Sequence, residues 1–121
     1  MDATTFEQLV IAVLDDLPPE FAHYLDNCAV IVAQKPSAQQ RRSFGLKPWQ
    51  TLYGCYEGIP LTERSVQGVQ MPDTIFIFQA PLTRDFPLLP ALREQVRRTV
   101  LHEIAHVFGI SDERLRELGA Y

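Results

Sequence analysis

Phe6, Leu9, Val10, Val13, Leu14 and Leu17 recur at intervals of three and four, the spacing that lines one face of a helix. Thr5 precedes that stripe with Gln8 three residues on, a capping-box pair, and Pro18 and Pro19 end the helix because neither carries an amide hydrogen. One more helical turn is expected within Glu20 to Asp26. Cys28 to Ala33 is an unbroken apolar and β-branched run, the pattern of a strand covered on both faces. Gln34 to Gln50 holds Pro36, Gly45, Pro48 and a run of polar residues, which predicts a long loop. Within it, Phe44 and Trp49 are candidates either for lining a substrate cleft or for anchoring the loop.

Leu52 to Tyr56 predicts a short strand, punctuated by Gly58 and Pro60, and Thr62 to Pro72 reads as irregular. Thr74 to Ala80, with Ile75, Phe76, Ile77 and Phe78 in sequence, predicts a third strand. Pro81, Pro87 and Pro90 are expected to keep the next connection out of regular structure. Ala91 to Phe108 predicts the longest helix, closed by Gly109 at the left-handed C′ position. Ser111 caps a last short helix from Asp112 to Leu118, ended by Gly119. The whole chain, 1–121, therefore predicts a single α+β domain. Its small sheet of three or more strands packs against the N-terminal helix and the long helix, with a short helix at the C-terminus.

Composition narrows the class. The chain has 121 residues, 46% of them hydrophobic and 21% charged, which is enough for one core and excludes a disordered or collagen-like chain. Its net charge of −4 argues against a nucleic-acid binder, since phosphate neutralisation needs a basic surface. No apolar run approaches the ~20 residues that span a bilayer, so no membrane partner is expected. Met1 to Glu7 holds Asp2 and Glu7 and no basic cluster, unlike a signal peptide. Cys28 and Cys55 form no disulfide framework or zinc knuckle and read as small core residues. A bacterial-type cytoplasmic enzyme is the expectation.

The chemistry lies in His102-Glu103-Ile104-Ala105-His106 on the long helix. Histidines at i and i+4 share one face, roughly 6 Å apart at Cβ, so both imidazoles reach one Zn²⁺ at ~2.0–2.1 Å. Glu103 sits about 100° further round the helix, off the ligand pair but beside an open coordination position. There a carboxylate takes a proton from metal-bound water. A chain of this composition carries the five-residue pattern by chance in about 0.5% of shuffles, so the signal is specific. Gly109 and Asp112 extend it to HExxHxxGxxD. A positive φ at Gly109 lets the chain reverse and return Asp112 as third ligand, near a helix C-terminus that favours a cation. Glu113, Glu117, His23 and the two cysteines are weaker candidates for that position.

The chain resembles the small bacterial zincin-like metallopeptidases, a family of minimal single-domain zincins. The resemblance rests on LPPEF (17–21), YEGIPLTER (56–64), PDTIFIF (72–78) and above all RRTVLHEIAHVFGISDERLRELG (97–119). It implies a zincin-like α+β fold with His102 and His106 as zinc ligands, Glu103 as general base and Asp112 as third ligand. Full-size metzincins differ: their third ligand is typically histidine, and a Met-turn follows the motif. Here Met1 and Met71 both precede it. An acidic third ligand also admits a divalent transition metal other than zinc.

The function expected is therefore a zinc-dependent peptidase acting on a peptide or flexible protein segment. Tyr53, Tyr56, Arg64 and Tyr121 are the candidates for stabilising the oxyanion. An extended substrate has an edge of the small sheet to pair with. The rival reading is a non-catalytic, metal-dependent peptide- or protein-binding module on the same scaffold. An unligated Glu103 gives such a module nothing.

Overall fold

The computed structural model describes residues 1–26, 28–58 and 73–119. Helix α1 spans Ala3–Asp15 and buries Phe6, Val10 and Val13. Its N-cap is Asp2, whose carboxylate accepts the Thr5 amide at 2.7 Å, so the expected Thr5–Gln8 box is displaced three residues upstream. Both residue types cap well, and the acid also complements the helix dipole. A 3₁₀ turn at Pro19–Phe21 and the short α2, Ala22–Leu25, match the expected single turn. Strand β1, Cys28–Ala33, follows as predicted.

Three further expectations are corrected. Strand β1 is not covered on both faces: among the described residues it lies at an edge of the sheet, and Ile31 is exposed. The stretch 34–50 is not one loop but contains α3, Ala38–Ser43. The helix starts at a true capping box, with Ser37 Oγ accepting the Gln40 amide at 3.0 Å and the Gln40 side chain accepting the Ser37 amide at 2.9 Å. Arg41 then ties the following chain by donating to the Lys47, Pro48 and Gln50 carbonyls. Pro81, finally, does not break regular structure. It stands in the first turn of α4, Gln79–Asp85, where no amide hydrogen is needed, and Pro90 likewise opens α5.

Strands β2, Gly54–Glu57, and β3, Asp73–Phe78, complete a sheet of order β1-β3-β2 among the described residues. β1 runs parallel to β3, and β2 antiparallel. The predicted irregular stretch 62–72 lies outside the described residues. Helix α5, Leu89–Phe108, packs on β2, β3 and α1. It ends where predicted: Gly109 adopts φ 69°, and its amide and that of Ile110 both close on the Ala105 carbonyl. Ser111 caps α6, Asp112–Glu117, and Leu115 of α6 joins the core. Among the described residues no helix is long and apolar enough to cross a membrane.

The core joins Phe6, Val10 and Val13 of α1 to Ile75 and Ile77 of β3 and to the buried stripe of α5. In that stripe, Val96, Val100 and Ile104 are fully buried, and Ile104 lies inside the HExxH segment itself. The motif helix is thus anchored on the side away from its polar groups. Removing one methyl there by Ile104→Val is expected to lower unfolding free energy by about 1 kcal/mol, read as a shifted urea midpoint at constant slope.

Candidate active site

Gln95, Arg98, Thr99, His102 and Glu103 lie on one face of α5 at the helical spacing and form one wall of a pocket of about 410 Å³. The opposite wall is the chain 51–54, which leads into β2. His102 and Glu103 are partly buried there, whereas His106, one turn on, is exposed. Phe44 and Trp49 are largely exposed and are not part of this pocket.

Strand β2, an edge of the sheet among the described residues, meets the motif directly. Phe78 donates to the Tyr53 carbonyl at 2.9 Å, which fixes the alternation of the β2–β3 ladder. Tyr53, Cys55 and Glu57 therefore face β3 with their backbone groups, and those of Gly54 and Tyr56 turn outward. The Tyr56 amide donates to the Glu103 carboxylate. Burial pushes the Glu103 carboxyl up from its ordinary value, while the nearby His106 and the Tyr56 hydrogen bond pull it partly back. A carboxylate with raised affinity for a proton, set beside two imidazoles, suits a general base.

Tyr53 hydrogen-bonds Asp85 at 2.6 Å, and Asp85 is also held by Arg84, which in turn donates to the Thr51 hydroxyl at 3.1 Å. That chain of contacts braces the 51–54 wall. Tyr53 donates its hydroxyl proton to Asp85, and this bond raises its pKa. Of the other oxyanion candidates, Tyr56 lies beside Glu103 through its backbone, and Arg64 and Tyr121 lie outside the described residues. Cys28 and Cys55 are free and sit on the two outer strands, separated by β3. Burial, with Glu57 and Glu103 adding, pushes the Cys55 thiol up to about 12, so it is a protonated core residue.

Asp112 is the first residue of α6 and is exposed, with no hydrogen bond or ion pair among the described residues. Among those residues no three His, Cys, Asp or Glu side chains are gathered closely enough to hold a metal ion. The His102–His106 pair is in place, and the turn at Gly109 brings the chain round, but the Asp112 side chain does not close the set. The donor chemistry itself suits a divalent ion: two imidazoles and a carboxylate. Sequence reasoning missed the rest of the cleft. Gln95, Arg98 and Thr99 were legible as the positions seven, four and three before His102; of the 51–54 wall only Tyr53 was singled out, because only sheet pairing brings that chain there.

A helix carrying this motif against an antiparallel edge strand defines a class. From 25 to 120 the chain matches the family of zincin-like metallopeptidases, and it belongs to that family. No curated protein matches it.

Proposed function

We propose that the protein hydrolyses peptide bonds, with Glu103 as general base and His102, His106 and Asp112 holding a divalent metal, typically zinc in such a family. The observation that carries this reading is the position of Glu103. It is drawn into the cleft wall between the histidine pair and the outward-facing backbone of β2, with its proton affinity raised by burial. When bound, the metal supplies Lewis acidity for the scissile carbonyl and for water. Glu103 accepts the water proton and returns it to the leaving amine. The outward-facing amide and carbonyl of Gly54 offer an extended substrate a strand to pair with, which orients it along the cleft.

Zinc titration of dialysed protein tests the donor set. Wild type is expected to bind about one ion per chain and, at a hundredfold excess over Kd, to gain about 2.7 kcal/mol, or roughly 10 °C in melting temperature. His102→Ala and His106→Ala are expected to lose that gain, and Asp112→Ala to weaken binding at least about tenfold. Full occupancy in both histidine variants overturns the site. An unchanged Kd in Asp112→Ala removes Asp112 from it.

A further inference from the structure

The pocket extends beyond His102 towards the start of β2, and its wall there carries a cation that hydrolysis does not use. Arg98 stands one helical turn before His102, with Gln95 three residues further back, and both line the pocket. Arg98 Nε meets Glu94 Oε1 at 3.3 Å in an ion pair whose side chains are each 45% exposed. The same oxygen meets Arg97 Nη1, also at 3.3 Å. One carboxylate thus serves two guanidinium groups, and neither contact is short. Arg97 is further engaged, donating to the Leu118 carbonyl at 2.7 Å. The terminal nitrogens of Arg98 have no acceptor among the described residues. Glu94 cannot neutralise both cations, and Arg98 is the one that lines the pocket, where Glu103, the one lining acid among the described residues, belongs to the catalytic end.

We propose that Arg98, with Gln95 beside it, is a specificity subsite for a carboxylate of the substrate. This inference rests on the peptidase reading for its meaning. One helical turn advances about 5.4 Å and an extended peptide about 3.3 Å per residue, so the anion falls about two residues from the scissile bond. Its side of the bond follows from the strand. β2 runs from the pocket end at Gly54 towards Tyr56, where Glu103 sits. A chain pairing antiparallel to it runs the other way, past Glu103 and into the pocket with its C-terminal part. The carboxylate is then either an Asp or Glu side chain downstream of the cut or the chain's own C-terminus. Both present the planar oxygen pair that a guanidinium binds through two parallel hydrogen bonds.

Three fluorescein-labelled hexapeptides of alanine and leucine separate these sources: one with a free C-terminal acid, one amidated, and one amidated with aspartate next to last. Binding is read by fluorescence anisotropy on the zinc-supplemented Glu103→Gln protein at low salt. At least one carboxylate peptide is expected to bind about tenfold tighter than the plain amide, and which one identifies the source. The advantage should shrink as salt rises, fall below about twofold in Arg98→Gln, and survive in part in Arg98→Lys, which keeps the charge without the fork. Equal binding of all three, no saturable binding of either carboxylate peptide, or an undiminished advantage in Arg98→Gln overturns the subsite. Digestion of the same peptides by wild type keeps the two ideas apart. Discrimination in binding with no cleavage ends the peptidase reading and leaves the subsite; cleavage without discrimination does the reverse.

Discussion

Replacing Glu103 by glutamine is expected to leave the fold and the metal donors standing and to remove turnover. Glutamine has nearly the same shape, and its carbonyl oxygen still accepts the Tyr56 amide that now meets the carboxylate. What it lacks is an acceptor for the water proton, a contribution of about 10²–10⁴-fold. Cleavage of a responsive peptide library should fall by at least the lower bound, with zinc stoichiometry unchanged. A binding module would instead keep its partner affinity in the variant and show no cleavage above blank in wild type. Equal cleavage by both proteins ends the mechanism.

The same substitution carries a second signature in the metal-free chain. Burial raises the Glu103 carboxyl above its ordinary value of 4.5, so the folded state holds this proton to higher pH than the unfolded chain does. The unfavourable contribution of the buried charge is absent well below 4.5, grows as pH rises from there, and is complete above the raised value. Glutamine never bears that charge. Glu103→Gln should therefore match wild type in urea denaturation in strong acid and exceed it at neutral pH. A wild type that gains on the variant as pH rises would show that Glu103 is instead stabilised as an anion.

Local chemistry made much of this fold legible. β1 and the end of α5 were readable to the residue, because an apolar β-branched run and a glycine at C′ each act within one element. The HExxH face was legible for the same reason: once the segment is helical, its geometry follows from 3.6 residues per turn. Errors arose where two local signals competed. Asp2 and Thr5 both qualify as caps, and the helix starts at the first, whose carboxylate takes the Thr5 amide. Ser37 and Gln40 spelled out a capping box, yet the prolines and polar residues around them suggested a loop. The relation of Asp112 to the histidines was not legible, because it depends on the rotation of α6 about the turn at Gly109 rather than on spacing. Nor was the approach of β2 to the motif, which depends on pairing between strands more than fifteen residues apart.

That approach rests on Gly54, and Gly54→Ala is expected to be the most damaging single-methyl change in the cleft. The added Cβ would lie 2.7 Å from the Phe76 carbonyl oxygen and 2.7 Å from the Thr99 Cγ2, closer than such atoms pack. The first neighbour is backbone of the central strand, and the second belongs to the helix that carries the motif, so the strain is relieved by moving β2 away from both β3 and α5. Overpacking of this kind costs about 3 kcal/mol, roughly 10 °C of melting temperature in a chain of this size. Gly109→Ala makes the contrast. Nothing lies within 4 Å of a Cβ there, and the expense is only the positive φ of 69°, about 1 kcal/mol. Thr99→Ser removes Cγ2 while keeping the hydroxyl that bonds the Gln95 carbonyl at 2.8 Å. Combined with Gly54→Ala it should restore part of the lost stability, and only part, because the Phe76 oxygen stays where it is. Displacing β2 also takes the Tyr56 amide from Glu103, so hydrolysis by Gly54→Ala should fall even at temperatures where the variant is fully folded. A Gly54→Ala protein that melts within about 2 °C of wild type and cleaves as fast would mean that α5 and the edge strand are not held together at this point.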